Sequence, residues 1–219
     1  MLDFGFMARC VPLFVKAAEL TVKLAFWGIV MSTVLGLICA LIRYWKIPVL
    51  QRLIGVYIEL ARNTPLMIQL FFLYYGLPRL GLLLEGTTCA IAGLTFLGGA
   101  YMAEAFRGGL NAVGRSQIEV GMSIGLKPSQ ILRHVVLPQA LAVSLPVLTA
   151  TAIFLIKETS VFSIVALPDL MYVAKDLLKE GHSTESNILL VLSYLVIILP
   201  VSLIFGWLER RVRFAGFGY

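Results

Sequence analysis

Four consecutive residues, Lys157, Glu158, Thr159 and Ser160, bring together a cation, a carboxylate and two hydroxyl groups. We call them the path cluster. They follow an apolar run that ends at Ile156, at a break in helical periodicity. A zwitterionic ligand needs an anion beside its ammonium and donors beside its carboxylate, and the path cluster offers both. The alternative is that the two charged residues end a helix and extend to water.

Glu104 is an ionisable residue at the end of another uncharged run, residues 86–103, and Tyr101 lies one helical turn before it. An ionisable residue within a membrane span is a functional hypothesis by default. We therefore add Tyr101 and Glu104 to the candidates for a substrate path. The alternative for Glu104 is an ion pair with Arg107, three residues further along the helix.

A polar segment, residues 111–134, separates two strongly apolar runs, and we call it the docking loop. It carries Ile118, Met122, Ile124 and Leu126, although water-facing loops have no reason to expose such residues without a partner. The alternative is a loop folded back onto the bilayer surface. The residues predicted to contact a partner are Glu119, Gly121, Met122, Ile124, Gly125, Leu126, Lys127 and Pro128.

The pattern of the docking loop predicts two short helices. Ser116 with Glu119 fits a capping box at the start of the first helix. Gly121 and Gly125 allow a sharp turn, and Pro128 fits the first turn of the second helix. The segment from Gly109 to Ser116 nearly matches a phosphate-binding loop. The lysine of that motif is replaced by Arg115, however, and no strand is predicted before the glycines. We therefore expect no nucleotide site and no catalytic residues in this chain.

The composition is that of an integral membrane protein. Apolar residues make up 59% and charged residues 14% of the 219 positions, and mean hydropathy is +0.92. Soluble domains contain roughly 45–50% apolar and about 25% charged residues. The net charge of +6 does not indicate nucleic-acid binding, because the charges lie at helix ends. The cysteines and histidines lack ligand spacing, so no metal site is expected.

We predict an all-α fold in a single transmembrane domain, residues 1–219, with five transmembrane helices. A helix needs about 20 apolar residues to cross the hydrocarbon core. The second span is expected to bend near residue 62 and to restart as a fresh helix at Pro65. A short amphipathic helix is expected after Pro168, between the last two spans. The predicted spans are residues 16–43, 53–79, 86–110, 135–158 and 186–208.

The basic residues predict the orientation of the chain. Five spans place the first connection, the docking loop and the C-terminus on one side of the membrane. That side carries eleven of the 18 lysines and arginines, so it is predicted to be cytoplasmic, with the N-terminus outside. The eleven are Arg43, Lys46, Arg52, Arg62, Arg107, Arg115, Lys127, Arg133, Arg210, Arg211 and Arg213.

The docking loop resembles the EAA loop of permease subunits of bacterial ATP-binding-cassette importers. The family pattern is E-A-A, three residues, G, nine residues, then I-x-L-P, and Glu119, Gly125, Leu137 and Pro138 match it in spacing. The identities differ at Val120, Gly121 and Val135. The resemblance implies that this loop forms coupling helices in a groove of an ATPase subunit.

Four further segments resemble the polar amino-acid branch of that family. Asn63 stands where the family usually has glycine, and asparagine also tolerates left-handed backbone. The segments are ELARNTPLMIQLFFLYYGLP (59–78), AYMAEAFRGGL (100–110), KETSVFSIV (157–165) and the ending LERRVRFAGFG.

The resemblance implies an importer for a polar amino acid in the bacterial cytoplasmic (inner) membrane. Its partners would be an ATPase dimer, which binds ATP and Mg, an external substrate-binding protein, and a second permease that is identical or paralogous. This chain would bind no cofactor. The alternative is a self-contained, ion-coupled secondary amino-acid transporter, which predicts intramembrane carboxylates and an internal repeat. A membrane-embedded enzyme would need a catalytic constellation, and the sequence contains none.

Overall fold

The computed structural model describes residues 2–179 and 181–217, with side chains described as far as Val212 in the last helix. Throughout these residues the regular structure is helical. The side chains from Arg213 onward and all of Gly218, which the sequence argument used, lie outside this description. The helices are α1 (Phe4–Tyr44), α2 (Pro48–Arg62), α3 (Leu66–Phe71), α4 (Gly86–Ala112), α5 (Arg115–Ser123), α6 (Pro128–Ile131), α7 (Leu137–Glu158), α8 (Leu170–Lys179) and α9 (Ser183–Phe217).

Four helical segments in the described residues are long and apolar enough to cross a membrane. They are Phe4–Tyr44, Gly86–Ala112, Pro128–Val165 and Ser183–Val212. The third is continuous because a π-helical turn joins α6 to α7 and a 3₁₀ segment, Thr159–Val165, follows α7. The predicted second span, residues 53–79, does not form one long helix but is divided between α2 and α3.

The first helix begins at Phe4, twelve residues before the predicted span. Asp3 caps it, because its carboxylate accepts a hydrogen bond from the Phe6 backbone N–H at 2.9 Å. Phe6 and Phe14 then pack with α8 and α9 in a small apolar cluster. The short helix predicted after Pro168 is confirmed as α8, whose Leu170, Ala174 and Leu177 are buried.

Helices α1 and α4 run parallel and pack closely along their length. A β-carbon added to Gly36 would lie 2.5 Å from Met102 Cβ and 2.8 Å from the backbone nitrogen of Ala103. Ser32 Oγ donates a hydrogen bond to the Leu94 carbonyl at 3.0 Å. Small residues at such interfaces let helix backbones approach in a membrane, where apolar burial alone gives little driving force.

The remaining long helices alternate in direction around α4. Tyr101 of α4 contacts Phe154 of α7, and Gly109 of α4 lies against Ala140, so these helices are antiparallel. Thr159, directly after α7, lies near Tyr194, and Thr149 of α7 donates a hydrogen bond to Glu209, so α9 is antiparallel to α7. The arrangement places the C-terminal ends of α1, α4 and α9 at the end of the bundle that carries the docking loop.

Candidate functional site: a broken helix and an exposed loop

The break between α2 and α3 lies beside the middle of α4. Tyr57, near the end of α2, donates a hydrogen bond to the Phe96 carbonyl at 2.8 Å, and Leu66 at the start of α3 packs against Gly93. The helix ends here because Pro65 has no N–H group and disfavours helical backbone in the preceding residue. Asn63 does not adopt the left-handed backbone that was expected, since its φ is −97°.

Polar side chains satisfy part of the broken backbone. Gln69 Nε2 donates to the carbonyls of Ala61 and Thr64 at 3.0 and 3.1 Å. Among the described residues, Gln69 Oε1 is buried without a hydrogen-bond partner. Asn63 Nδ2 donates to the Glu59 carboxylate at 3.1 Å. The break therefore concentrates polar groups at a depth where the neighbouring helices are apolar.

Arg62 and Tyr101 meet at this break. The Arg62 guanidinium carbon lies 5.1 Å from the centroid of the Tyr101 ring, within cation–π distance. The same ring makes an edge contact with Phe154, at 5.4 Å between centroids. Sequence reasoning counted Arg62 among the cytoplasmic cations and within the segment 59–78 that resembles amino-acid permeases, but gave it no role in the substrate path. The signal that could have revealed its position is a polar R-N-T-P motif halfway along an apolar segment of spanning length.

The path cluster lies where regular helix ends, as predicted. Helix α7 ends at Glu158, and Thr159 begins the 3₁₀ segment. Thr159 is buried and donates to the Ile156 carbonyl at 2.7 Å, whereas Lys157 is exposed and Glu158 and Ser160 are half-buried. Tyr101 is about one helical turn away, because its contact Phe154 lies four residues before Glu158.

Glu104 forms two ion pairs. Its carboxylate accepts from Arg107 Nη2 at 2.6 Å, which confirms the predicted pair, and from Arg43 Nη1 at 2.5 Å. The second pair links α4 to α1. Along the helix axes Glu104 is roughly 10 Å from the path cluster, towards the opposite end of the bundle. The structure therefore does not bring Glu104 together with these four residues, and a role in the path stays a prediction.

The docking loop contains two short helices joined by a sharp turn. Gly125 has a φ of +82°, a conformation that strains any residue with a β-carbon. Pro128 occupies the first turn of α6, and the Lys127 backbone N–H donates to Gln130 Oε1 at 2.8 Å. The predicted capping box is wrong, because α5 begins at Arg115 after Gly114 and Ser116 already lies inside the helix.

The apolar residues of the loop differ in their exposure. Ile118 and Leu126 are half-buried against the core, and buried Gly121 packs on Ile131. Val120, Met122 and Ile124 are 62%, 54% and 72% exposed. Glu119 is exposed beside them. Val120 was not among the predicted contact residues, although it is an exposed apolar residue of the same loop.

The comparison with known families decides which class of membrane protein has this architecture. Residues 32–214 match the family model described as binding-protein-dependent transport system inner membrane component. The chain belongs to this family. It is a permease component integral to the inner membrane, and it is a transport subunit without enzymatic activity of its own.

Individual relatives agree with the family assignment. The permease is 36% identical over 217 residues to a probable amino-acid ABC transporter permease of Vibrio harveyi, with 96% of each chain covered. It is 37% identical over 197 residues to a probable glutamine ABC transporter permease of Bacillus subtilis, covering 87% of this chain and 89% of the relative.

Solved structures share the fold. A crystal structure of an amino acid ABC transporter with histidines matches with a TM-score of 0.89 and 31% identity, covering 96% of this permease and 99% of that chain. The inward-facing methionine ABC transporter MetNI matches at a TM-score of 0.79 and 23% identity, over 96% and 99% of the two chains, which supports the fold alone.

Proposed function

We propose that this permease carries a polar amino acid inward as one of two membrane subunits, identical or paralogous, of an ATP-driven importer. An external binding protein delivers the substrate. An ATPase dimer binds ATP and Mg and engages the docking loop. The observation that carries the proposal is the exposure of the apolar residues Val120, Met122 and Ile124 on a structured loop, together with relatives named as amino-acid ABC permeases.

The proposal requires five membrane crossings, with the broken α2–α3 segment as the second. The directions of the long helices support this topology. Helices α4, α7 and α9 alternate in direction, but α1 and α4 are parallel, so one crossing must lie between them. The distribution of basic residues supports an N-terminus outside and a cytoplasmic docking loop.

Labelling with impermeant thiol reagents tests this topology. A cysteine at exposed Gln117 should react only from the cytoplasmic side, whereas one at exposed Ser183, at the start of α9, should react only from outside. The three native cysteines are buried and give a low background. Labelling of the Gln117 variant in intact cells would overturn the five-crossing arrangement.

We place the substrate path at the broken helix, between Arg62 and the path cluster. Transporter sites are typically built from discontinuous helices whose free backbone and side-chain groups meet the ligand. The Arg62 guanidinium suits a substrate carboxylate, and Glu158 suits the ammonium. Tyr101 contacts both Arg62 and Phe154, and Phe154 lies one helical turn before Glu158.

Uptake by the reconstituted importer tests this path. Arg62→Gln and Glu158→Gln each remove a charge-assisted hydrogen bond, worth on the order of 1.5–3 kcal/mol, or roughly ten- to hundredfold in uptake. Basal ATP hydrolysis should persist, because the docking loop is unchanged. Arg79→Gln, on the exposed 3₁₀ turn after α3, is the matched control. Unchanged uptake by both variants would refute the path assignment.

The energy source distinguishes the alternative of an ion-coupled secondary transporter. Proteoliposomes containing the complex should accumulate amino acid with ATP on the ATPase side and no ion gradient. An ionophore should not reduce this uptake. Accumulation by the permease alone, driven by a proton or sodium gradient, would favour the alternative and contradict the importer.

A further inference from the structure

A strongly basic pocket lies at the docking-loop end of the bundle, away from the broken helix. Helix α1, the turn that follows it, α2 and the end of α4 enclose a cavity of about 400 Å³. Its polar lining consists of Arg43, Lys46, Arg52 and Arg107, with Gln51 and Asn111. The only carboxylate bonded to these cations in the described residues is that of Glu104, so about three positive charges remain uncompensated.

The geometry of the pocket is fixed by its own contacts. Glu104 holds Arg43 and Arg107 through both carboxylate oxygens, at 2.5 and 2.6 Å. Each guanidinium carries five N–H donors, more than this carboxylate engages. Lys46 adopts left-handed backbone with a φ of +54° in the turn between α1 and α2, a strained conformation for a residue with a β-carbon. In this turn the Lys46 side chain lines the pocket.

An exposed apolar stripe continues from the pocket along α2. Val49, Leu53, Val56 and Leu60 recur at spacings of four, three and four residues and are between 57% and 68% exposed. Arg52 occupies the same helical turn as the first two and lines the pocket. A ligand that fills both the basic pocket and the apolar stripe must combine an anionic group with apolar chains. A soluble phosphate has no apolar chains.

We propose that this pocket binds the phosphodiester headgroup of an anionic phospholipid, with the acyl chains lying along the α2 stripe. Basic pockets between membrane helices recognise such headgroups through charge and hydrogen bonds. Arginine is suited to the task because its planar fork can bind two phosphate oxygens at once. This site is separate from the substrate path and from the exposed face of the docking loop.

Trp45 provides a reporter beside the pocket, because it precedes Lys46 and is 58% exposed. The assembled importer, carrying Trp27→Phe and Trp207→Phe, is reconstituted into vesicles of phosphatidylcholine with a brominated lipid. Quenching of Trp45 by dibrominated phosphatidylglycerol is compared with quenching by dibrominated phosphatidylcholine at equal ionic strength. A Trp45→Phe sample gives the signal of the other subunits.

We expect the site to prefer phosphatidylglycerol roughly tenfold or more, and Lys46→Asn with Arg52→Gln to abolish that preference. Asparagine suits left-handed backbone, so the first change preserves the turn. The control is Arg210→Gln with Arg211→Gln. It removes two exposed cations near the C-terminal end of α9, at the same end of the bundle as the pocket, and should leave the lipid preference unchanged.

Three results would overturn the proposal. Equal quenching by the two lipids means that the headgroup charge is not recognised. Relief of quenching by millimolar inorganic phosphate, but not by chloride at the same ionic strength, assigns the pocket to a soluble anion. A disulfide between two permease copies through Leu53→Cys shows that the stripe is a subunit interface. Retained folding of all variants is checked by co-purification of the ATPase.

Discussion

The α1–α4 interface and the docking loop use small and apolar residues for opposite purposes. At the interface, Gly28 and Gly36 allow side chains and backbone of α4 to approach within van der Waals contact. In the loop, Gly125 supplies a left-handed turn and nothing lies within 4 Å of its added β-carbon. The apolar residues Met122 and Ile124 then face outward.

This difference separates what stabilises the subunit from what it offers to a partner. The interface forms within one chain, because α4 supplies the three atoms nearest a β-carbon added at Gly36 and the acceptor of the Ser32 hydrogen bond. The docking loop is internally ordered but leaves apolar surface uncovered. A substitution in the first region should therefore damage folding, and one in the second should damage coupling while the subunit remains folded.

The largest effect is expected from Met122→Asp in the docking loop. The charge would lie unpaired against the ATPase, and its desolvation should reduce co-purification of the ATPase roughly tenfold or more and abolish transport. Membrane insertion and thermal stability should not change. Ser183→Asp, at the opposite end of the bundle, is the control for added charge. A variant that keeps its ATPase and its substrate-stimulated ATP hydrolysis would show that this face is not the docking surface.

A large but different effect is expected from Gly36→Val at the α1–α4 interface. The added carbon atoms collide with Met102 and with the backbone of α4, which should destabilise the fold by about 3 kcal/mol. Thermal unfolding of the purified permease in detergent measures the loss. Gly55→Val is the control for placing valine inside a helix without a collision, since no atom lies within 4 Å of its added β-carbon. Equal stability of the two variants would mean that α1 and α4 do not approach this closely.

A smaller effect concerns Asp169, which is buried between the 3₁₀ segment and α8. Burial raises the pKa of Asp169 from 3.8 to about 6, although its carboxylate accepts the Tyr172 N–H at 2.9 Å. The folded protein therefore binds this proton more tightly than the unfolded chain. The contribution of Asp169 to the free energy of unfolding is fully present below about pH 4. It falls as the pH rises to about 6, and then stays low. The loss is on the order of 2–3 kcal/mol.

Asp169→Asn should remove this pH dependence, because an amide keeps the capping acceptor but cannot ionise. Melting temperatures of the variant and the unmodified permease are compared at pH 5 and pH 8. At pH 8 the variant should have the higher melting temperature. Asp176→Asn on the exposed face of α8 is the control and should show no such gain. A variant that is less stable than the original at pH 8 would refute the burial argument.

Much of the docking loop was predictable because local backbone rules control it. Gly125 at the turn and Pro128 at the start of α6 follow from conformational preferences of single residues. The capping box at Ser116 failed for the same local reason. Gly114 precedes the helix in the structure, and the sequence pattern alone did not show this.

The sequence by itself determined the membrane class, the all-helical fold and the positions of the helix breaks, because hydropathy, proline and glycine act over a few neighbouring residues. Only the tertiary structure decided that Arg62 meets Tyr101, that Glu104 binds Arg43 as well as Arg107, and that four basic residues share one pocket. These contacts join helices far apart in the chain. They depend on the depth and rotation at which each helix packs, which a linear pattern does not specify.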